Sequence, residues 1–246
     1  MSGVWLVLPT YNEAENVEPI VESALPRLCE AAAHAGGGGG HHLLIVDDSS
    51  PDGTGRIADE LAARHAGVEV LHRGAKEGLG PAYLAGFAHA LGAGADLVLE
   101  MDADFSHDPA DLPRLVAAAR DADLVLGSRY VAGGGVADWG RLRRLLSRGG
   151  SWYARSILRV PVRDLTGGFK CFHATTLRRL GLEDVRTDGY GFQIELTYRA
   201  IRAGMRVVEV PIVFSERRAG RSKMTARIAL EAAWRVPELR LRLRLR

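Results

Sequence analysis

The sequence predicts an α/β fold with a mainly parallel sheet covered by helices on both faces. Short apolar runs in the first half are separated by helix-forming stretches of about 10 to 20 residues, the signature of βαβ units. Polar residues also converge at the carboxyl ends of four of those runs, the edge where open parallel sheets bind ligands.

In chain order, residues 4–8 form the first strand, ended by Pro9, and residues 13–33 carry helix formers with Asn12 as the expected N-cap. Residues 36–40 are a glycine loop. A second strand at 43–46 runs into Asp47-Asp48, and Ser50-Pro51-Asp52-Gly53 supplies turn chemistry before a helix at 54–65. Residues 68–71 are the third strand. Gly80-Pro81 opens a helix to about Leu91, with proline where its missing donor does no harm. Residues 96–101 and 123–126 are the fourth and fifth strands around a helix at 111–120. After residue 128 the alternation stops. Residues 141–158 read as a basic helix, 165–172 contain a strand after Thr166-Gly167-Gly168, 192–203 are helical, and 206–214 form a strand interrupted at Pro211. No repeat or linker divides the chain, so one domain of 1–246 is expected: a donor- and metal-binding half (1–128), an acceptor-side half (129–224), and an amphipathic helix with a basic tail (225–246).

With 246 residues, 47% hydrophobic and 25% charged, the chain is an ordinary globular protein. No apolar run approaches a bilayer span, and the N-terminus lacks the basic segment and cleavage site of a secretion signal. Two cysteines, Cys29 and Cys171, make neither a disulfide framework nor a four-cysteine zinc site, so a reduced, cytosolic compartment is expected. The net charge of +2 hides an asymmetry: residues 1–128 hold 7 Lys and Arg against 20 Asp and Glu, and residues 129–246 hold 25 against 10. An acidic half can hold a divalent cation, and an arginine-rich half can hold phosphates or an anionic surface.

Asp102 and Asp104 follow the fourth strand at once. If the extended path continues through Asp104, the two-residue period puts both carboxylates on one side, where they can share a Mg²⁺ or Mn²⁺ with substrate phosphates. Other phosphate devices are absent: there is no P-loop, no dinucleotide fingerprint after the first strand, and no Gly-x-Ser-x-Gly elbow. The basic half offers Arg129, then Arg141, Arg143, Arg144 and Arg148 around Ser147, then Arg217, Arg218, Arg221 and Lys223. Guanidinium groups bind phosphate oxygens bidentately, although helical spacing sends some of the 141–148 arginines to solvent. A nucleic-acid module would leave the acidic half unexplained, so no nucleic-acid partner is expected.

Pro9-Thr10-Tyr11-Asn12-Glu13, Asp47-Asp48-Ser49-Ser50-Pro51-Asp52-Gly53-Thr54, Lys76-Glu77-Gly78-Leu79-Gly80, Met101-Asp102-Ala103-Asp104-Phe105-Ser106-His107, Gly127-Ser128-Arg129-Tyr130, Thr166-Gly167-Gly168-Phe169, Gly189-Tyr190-Gly191-Phe192-Gln193 and the 217–223 segment stand in this order. The series resembles the dolichol-phosphate (polyprenol-phosphate) mannosyltransferases over about residues 4–224. The resemblance implies a Rossmann-like, GT-A type nucleotide-sugar fold, GDP-mannose as donor, a polyprenyl phosphate in the membrane as acceptor, and Mg²⁺ or Mn²⁺. It implies that Pro9, Tyr11, Glu13 and Asp48 contact guanosine. It also implies that Asp102 and Asp104 hold the metal, and that Arg129, Arg143, Ser147 and Arg217 surround the acceptor phosphate and donor diphosphate, with Arg129 among the catalytic group. Some relatives have Gln where this chain has Ser106, leaving the third metal ligand to the serine or to water. Rival readings are a glucosyltransferase of the same kind and a non-catalytic nucleotide-sugar sensor.

Residues 224–236 read as an amphipathic helix ended by Pro237, and 239–246 alternate Leu and Arg as an extended basic segment. Peripheral attachment to the inner face of the membrane through this tail is expected, with packing on the core or a separate anchoring protein as alternatives.

Overall fold

The computed structural model of the chain describes residues 3–35, 40–137, 139–185, 187, 189–216 and 226–243, the last segment by backbone alone up to residue 233. The first half alternates as the sequence predicts: β1 (Gly3–Thr10), α1 (Val17–His34), β2 (Gly40–Asp47), α2 (Thr54–Arg64), β3 (Val68–His72), α3 (Leu79–Gly92), β4 (Leu97–Glu100), α4 (Leu112–Ala118) and β5 (Leu124–Ser128). The second half adds β6 (Gly135–Val136), α5 (Arg141–Leu158), β7 (Lys170–His173), α6 (Ala174–Arg179), α7 (Gly189–Arg202), β8 (Val207–Pro211), β9 (Val213–Phe214) and α8 (Ala226–Arg242).

Seven strands form one sheet in the order β3-β2-β1-β4-β7-β5-β8, and β6 pairs with β9 separately. All neighbours in the large sheet are parallel except those of β7, which runs antiparallel between β4 and β5. The chain winds outward from β1 through β2 to β3, then returns to place β4 on the other side of β1. This reversal opens a crevice at the carboxyl ends of β1, β2 and β4.

The two-residue strand period divides the core into two layers. On β1, Val4, Leu6 and Leu8 pack against Ile20, Ala24 and Leu28 of α1, while Trp5 and Val7 face Tyr83 and Phe87 of α3. Gly86 of α3 lies so close to the sheet that an added Cβ would overlap Val7 Cγ1 and sit 3.2 Å from Val46 Cγ2.

Three local expectations are corrected. Pro9 does not end the first strand, which runs on to Thr10 because its carbonyl side still pairs with β2. Asn12 caps no helix: it has φ of +59°, and α1 starts at Val17, after the turn in which the Asn16 and Val17 amides donate to the Glu13 carbonyl. Pro237 does not end the last helix, and 239–242 are helical rather than extended. Proline removes one interior hydrogen bond, but Val236 and Leu239 are buried beside Ala154 and Leu158, Arg240 donates to the Ile157 carbonyl at 2.5 Å, and Arg242 pairs with Glu195. These contacts offset a penalty of about 3 kcal/mol. Among the described residues no helix is long and apolar enough to cross a membrane.

Gly86→Ala decides between two opposed effects. Alanine favours an exposed helix interior by about 1 kcal/mol over glycine, while overpacking a filled core destabilises by about 1–3 kcal/mol. The overlap with Val7 should win and lower the denaturation midpoint, and Val7→Ala in the same chain should recover part of the loss. An unchanged midpoint for Gly86→Ala would show that α3 can move off the sheet.

Candidate active site

The loops after β1, β2 and β4 each contain one non-glycine residue in the left-handed region: Asn12 (φ +59°), Ser49 (+54°) and Phe105 (+62°). Such strain persists only where the surroundings enforce it. Here a polar lattice does so. The Asn12 amide donates to Ser50 Oγ (3.1 Å), the Glu13 amide to Thr54 Oγ1 (2.9 Å) and the Ala14 amide to Asp52 Oδ2 (3.1 Å). Ser50 Oγ donates to Asp47 Oδ1 (2.6 Å) and Thr54 Oγ1 to Asp52 Oδ1 (2.6 Å). The Asp47–Thr54 motif is therefore a staple that fixes the Pro9–Glu13 loop.

Within this frame Asp48 is buried, and Arg73 Nη1 donates to its Oδ1 at 2.6 Å. Burial raises the Asp48 carboxyl above its ordinary value, and Arg73 opposes the rise. Arg73 also pairs with Glu77. Lys76 Nζ stands 3.7 Å over the Tyr11 ring, a cation–π contact. Pro9 lies on β1 opposite Val46, and Glu13 Oε2 accepts from Asn16 Nδ2 at 2.7 Å. The site residues expected in the first half thus meet at one edge, with Lys76 of the recognised Lys76–Gly80 motif and the unforeseen Arg73 as cations.

The carboxylates after β4 are arranged differently from the expectation. The strand ends at Glu100, and the chain turns at Ala103 and Asp104 rather than continuing extended. Asp104 becomes buried and accepts the Ser106 amide at 3.0 Å, while Asp102 stays partly open. His107, buried and stacked 4.9 Å from Phe169, receives the Asp102 amide on Nδ1 at 3.2 Å, so that nitrogen carries no proton. Ser106 Oγ is buried and has no hydrogen-bond partner among the described residues. Two carboxylates and this hydroxyl are hard oxygen donors of the kind that fit Mg²⁺ or Mn²⁺. Among the described residues no three His, Cys, Asp or Glu side chains converge, so such an ion would complete its shell with substrate phosphates and water. Beside it on the sheet is a buried ionisable pair that the sequence did not reveal: Glu100, raised by burial to about 7, lies opposite Lys170, lowered by burial to about 8. Lys170 Nζ donates to the Gln193 carbonyl at 2.9 Å.

Arg129 is buried. Nε and Nη2 donate bidentately to Asp164 at 2.7 Å each, and Nη2 also reaches Thr166 Oγ1 at 2.7 Å. Its Nη1 has no hydrogen-bond partner among the described residues. Ser147 Oγ meets Tyr130 Oη at 2.6 Å, and Arg143 pairs with Glu216 at 2.8 Å and lies 4.2 Å over Trp139. Phe214 joins these parts, lying edge-on to both Trp139 and His107 and under the Arg129 guanidinium. Arg217, Arg218, Arg221 and Lys223 lie outside the described residues.

A strand-edge crevice with paired carboxylates and fixed cations defines a transferase acting on a phosphate-bearing donor. The family model described as "Glycosyl transferase family 2" matches residues 5–186, and the chain belongs to that family. It is 46% identical over 229 residues to the undecaprenyl-phosphate mannosyltransferase of Micrococcus luteus, covering 93% of this chain and 90% of that protein. It is also 46% identical over 242 residues to the polyprenol monophosphomannose synthase of Mycolicibacterium smegmatis, covering 98% and 88%. The fold is similar to glucosyl-3-phosphoglycerate synthase from Mycobacterium tuberculosis. The complex of that enzyme with phosphoglyceric acid has a TM-score of 0.66 at 21% identity, covering 96% of this chain and 79% of the other. A complex with Mn²⁺, UDP-glucose and glycerol 3-phosphate gives 0.64 at 21%, covering 97% and 79%.

Asp164→Asn should unfold the chain more readily by about 3–5 kcal/mol at pH 7, because it leaves the Arg129 charge buried without its counter-ion. Burial raises the Asp164 carboxyl, but Arg129 outweighs it and the net value is lowered. A lowered carboxyl favours the folded state at every pH above the ordinary 3.8 and loses that contribution as pH falls further. The difference between wild type and variant in urea titrations should therefore shrink only below about pH 4. A constant difference down to the acid transition would remove this ion pair from the stability argument.

Proposed function

We propose that this chain transfers mannose from GDP-mannose to a polyprenyl phosphate, inverting the anomeric centre, with residues 1–128 handling the donor and 129–224 the acceptor. One observation carries the reading. Thr166 touches Arg129, and two residues on, Gly168 approaches so closely that an added Cβ would sit 3.8 Å from Asp102 Oδ1 and 3.3 Å from Gln193 Nε2. Two residues of chain span at most about 7 Å, and the short distance between Asp102 and the buried arginine supports a reading in which one diphosphate meets both. The names of both mannosyl-transferring relatives agree with this substrate pair.

The nucleophile needs little help from the protein. A phosphate monoester has a second pKa of about 6 and is largely dianionic at neutral pH, so it requires positioning rather than deprotonation. Repulsion between two phosphate groups is the larger barrier. Arg143, partly open and steadied on Trp139, can receive the acceptor phosphate, while Arg129, locked by Asp164, presents one preorganised edge of its guanidinium. Asp102 and Asp104 would hold Mg²⁺ or Mn²⁺, which when bound compensates charge on the departing diphosphate. Asp48, with Tyr11 and Glu13, takes the nucleoside end on the β1–β2 side. A lipid acceptor puts the reaction at a membrane surface. We assign the protein to the cytoplasmic side as a peripheral enzyme, in keeping with the two free cysteines.

The test is a transfer assay with a panel of labelled nucleotide sugars and polyprenyl phosphate, with and without chelator. Mannose should be transferred from GDP-mannose and chelator should stop it; glucose transfer at equal efficiency would overturn the sugar assignment. Asp104→Asn should lower turnover about 100-fold, the loss of one preorganised electrostatic contact of about 2.7 kcal/mol. Near-normal turnover at saturating metal would dismiss Asp104 as a ligand.

Arg143→Ala should raise the acceptor KM about five- to tenfold, the loss of one charge-assisted contact at a partly exposed site. Calorimetric titration with GDP-mannose should be nearly unchanged. Loss of donor binding with an unchanged acceptor KM would assign Arg143 to the other substrate.

A further inference from the structure

Around the end of β4 several buried polar atoms make no hydrogen bond of good geometry among the described residues: Tyr83 Oη, both oxygens of Glu100, Ser106 Oγ and Gln193 Nε2. Glu100 has a counter-charge in Lys170, whose Nζ also holds Gln193, and Ser106 belongs to the carboxylate turn. Tyr83 has neither explanation. It is buried on α3 in a layer with Phe87, Phe172 and Phe192, where a phenylalanine would pack as well without the cost of a desolvated hydroxyl. Its ring is held firmly. Tyr83 stacks on Phe192 with centroids 6.0 Å apart and planes 2° from parallel, and on Phe87 at 5.9 Å and 28°. Nearly one turn further on, Gly86 lets α3 press against Val7 and Val46, which fixes how deep Tyr83 sits. Burial, then Asp102, then more weakly Glu100 and Asp104 hold the phenol well above its ordinary value, so it keeps its proton and is a donor among carboxylates.

We propose that Tyr83 is a positioning residue for Asp102: its hydroxyl donates to the buried side of that carboxylate and leaves the partly open side aimed at the metal. A carboxylate on a turn is free to rotate about its side-chain bonds. A donor on a clamped ring removes that freedom, as the partners behind metal ligands do. Glu100 is the weaker claimant on the hydroxyl, because Lys170 and Gln193 already face it and Asp102 acts on the phenol more strongly. Gly168 closes another flank, since an added Cβ there would stand 3.8 Å from Asp102 Oδ1. The inference deepens the reading of Asp102 as a metal ligand and rests on it.

The experiment titrates Mn²⁺ into the full chain in the presence of GDP and follows free Mn²⁺ by electron paramagnetic resonance. Tyr83→Phe keeps the ring and removes one oxygen. It should leave the thermal transition unchanged or raise it, weaken Mn²⁺ binding about tenfold, and lower turnover at limiting metal with recovery at saturating metal. Phe87→Leu disturbs the same aromatic layer without touching a hydroxyl. That control should lower the thermal transition and leave Mn²⁺ affinity unchanged. Equal Mn²⁺ affinity in Tyr83→Phe and wild type would overturn the proposal. An equal loss of affinity in Tyr83→Phe and Phe87→Leu would do so too, and would make Tyr83 a packing element alone. Should wild type bind no Mn²⁺ with GDP present, the metal reading of Asp102 fails and takes the proposal with it. Should Mn²⁺ binding and the Tyr83 effect both appear without transfer of mannose, the positioning role stands and the mannosyltransferase reading fails.

Discussion

The buried ion pair between Arg129 and Asp164 is the constraint on which the carboxyl edge of the sheet depends. Asp164 Oδ2 also accepts the Arg129 amide at 3.0 Å, so one carboxylate fixes both the backbone and the side chain at the end of β5. The segment bearing Asp164 is held in turn by Glu209 of β8, whose two oxygens accept the Arg163 and Asp164 amides at 2.9 Å each. Charges this deep are tolerated only when every partner is supplied. From this clamp the chain proceeds through Thr166 and Gly168 to β7, the strand that lies antiparallel between the two parallel parts of the sheet. Loosening the pair would release the segment whose Gly168 lies between Asp102 and Gln193.

The first half achieves rigidity by other means. Three strained residues, one in each loop after β1, β2 and β4, sit among polar contacts, some within a loop and some between loops: Ser50 accepts the Asn12 amide, Ser49 Oγ donates to the Arg73 carbonyl, and Asp104 accepts the Ser106 amide beside Phe105. Loops held this way are preorganised before any ligand arrives, which is where electrostatic catalysis gains most. His107 and Phe214 extend the arrangement across the molecule by aromatic contact, so the carboxylate turn and the Trp139–Arg143 stack share one support. The acidic and basic halves seen in composition meet at this support. Neither half would offer a complete site for transfer between two phosphate-bearing substrates.

Much of this was legible in the residues. The apolar runs that became β1 to β5, and α5 from Arg141 to Leu158, follow from local pattern because burial on both faces selects continuous apolar strands and a helix needs a repeating inner face. The convergence of Tyr11, Asp48 and Asp102 at one edge followed from parallel topology alone. Short elements escaped: β6 is two residues long and exists only because β9 pairs with it, and α6 has six residues. Arg73 and Phe214 also escaped, since nothing in their own neighbourhoods distinguishes them from surface or core residues, and Lys76 and His107 stood in recognised motifs whose contacts the sequence did not give.

By itself the sequence determined the strand and helix content, the segregation of charge and the chemical types gathered at the sheet edge, because these depend on composition and on periods of two and 3.6 residues. Only the tertiary structure decided which charged groups remain open. Asp104 is drawn inward by the Ser106 amide, Arg129 is closed on Asp164, and Arg242 is taken up by Glu195, whereas Leu142, Leu145 and Leu146 are left facing out. Pro237 sits inside a helix for the same reason: contacts between residues distant in sequence, Leu239 in the core and Arg240 on Ile157, outweigh a local preference of a few kcal/mol.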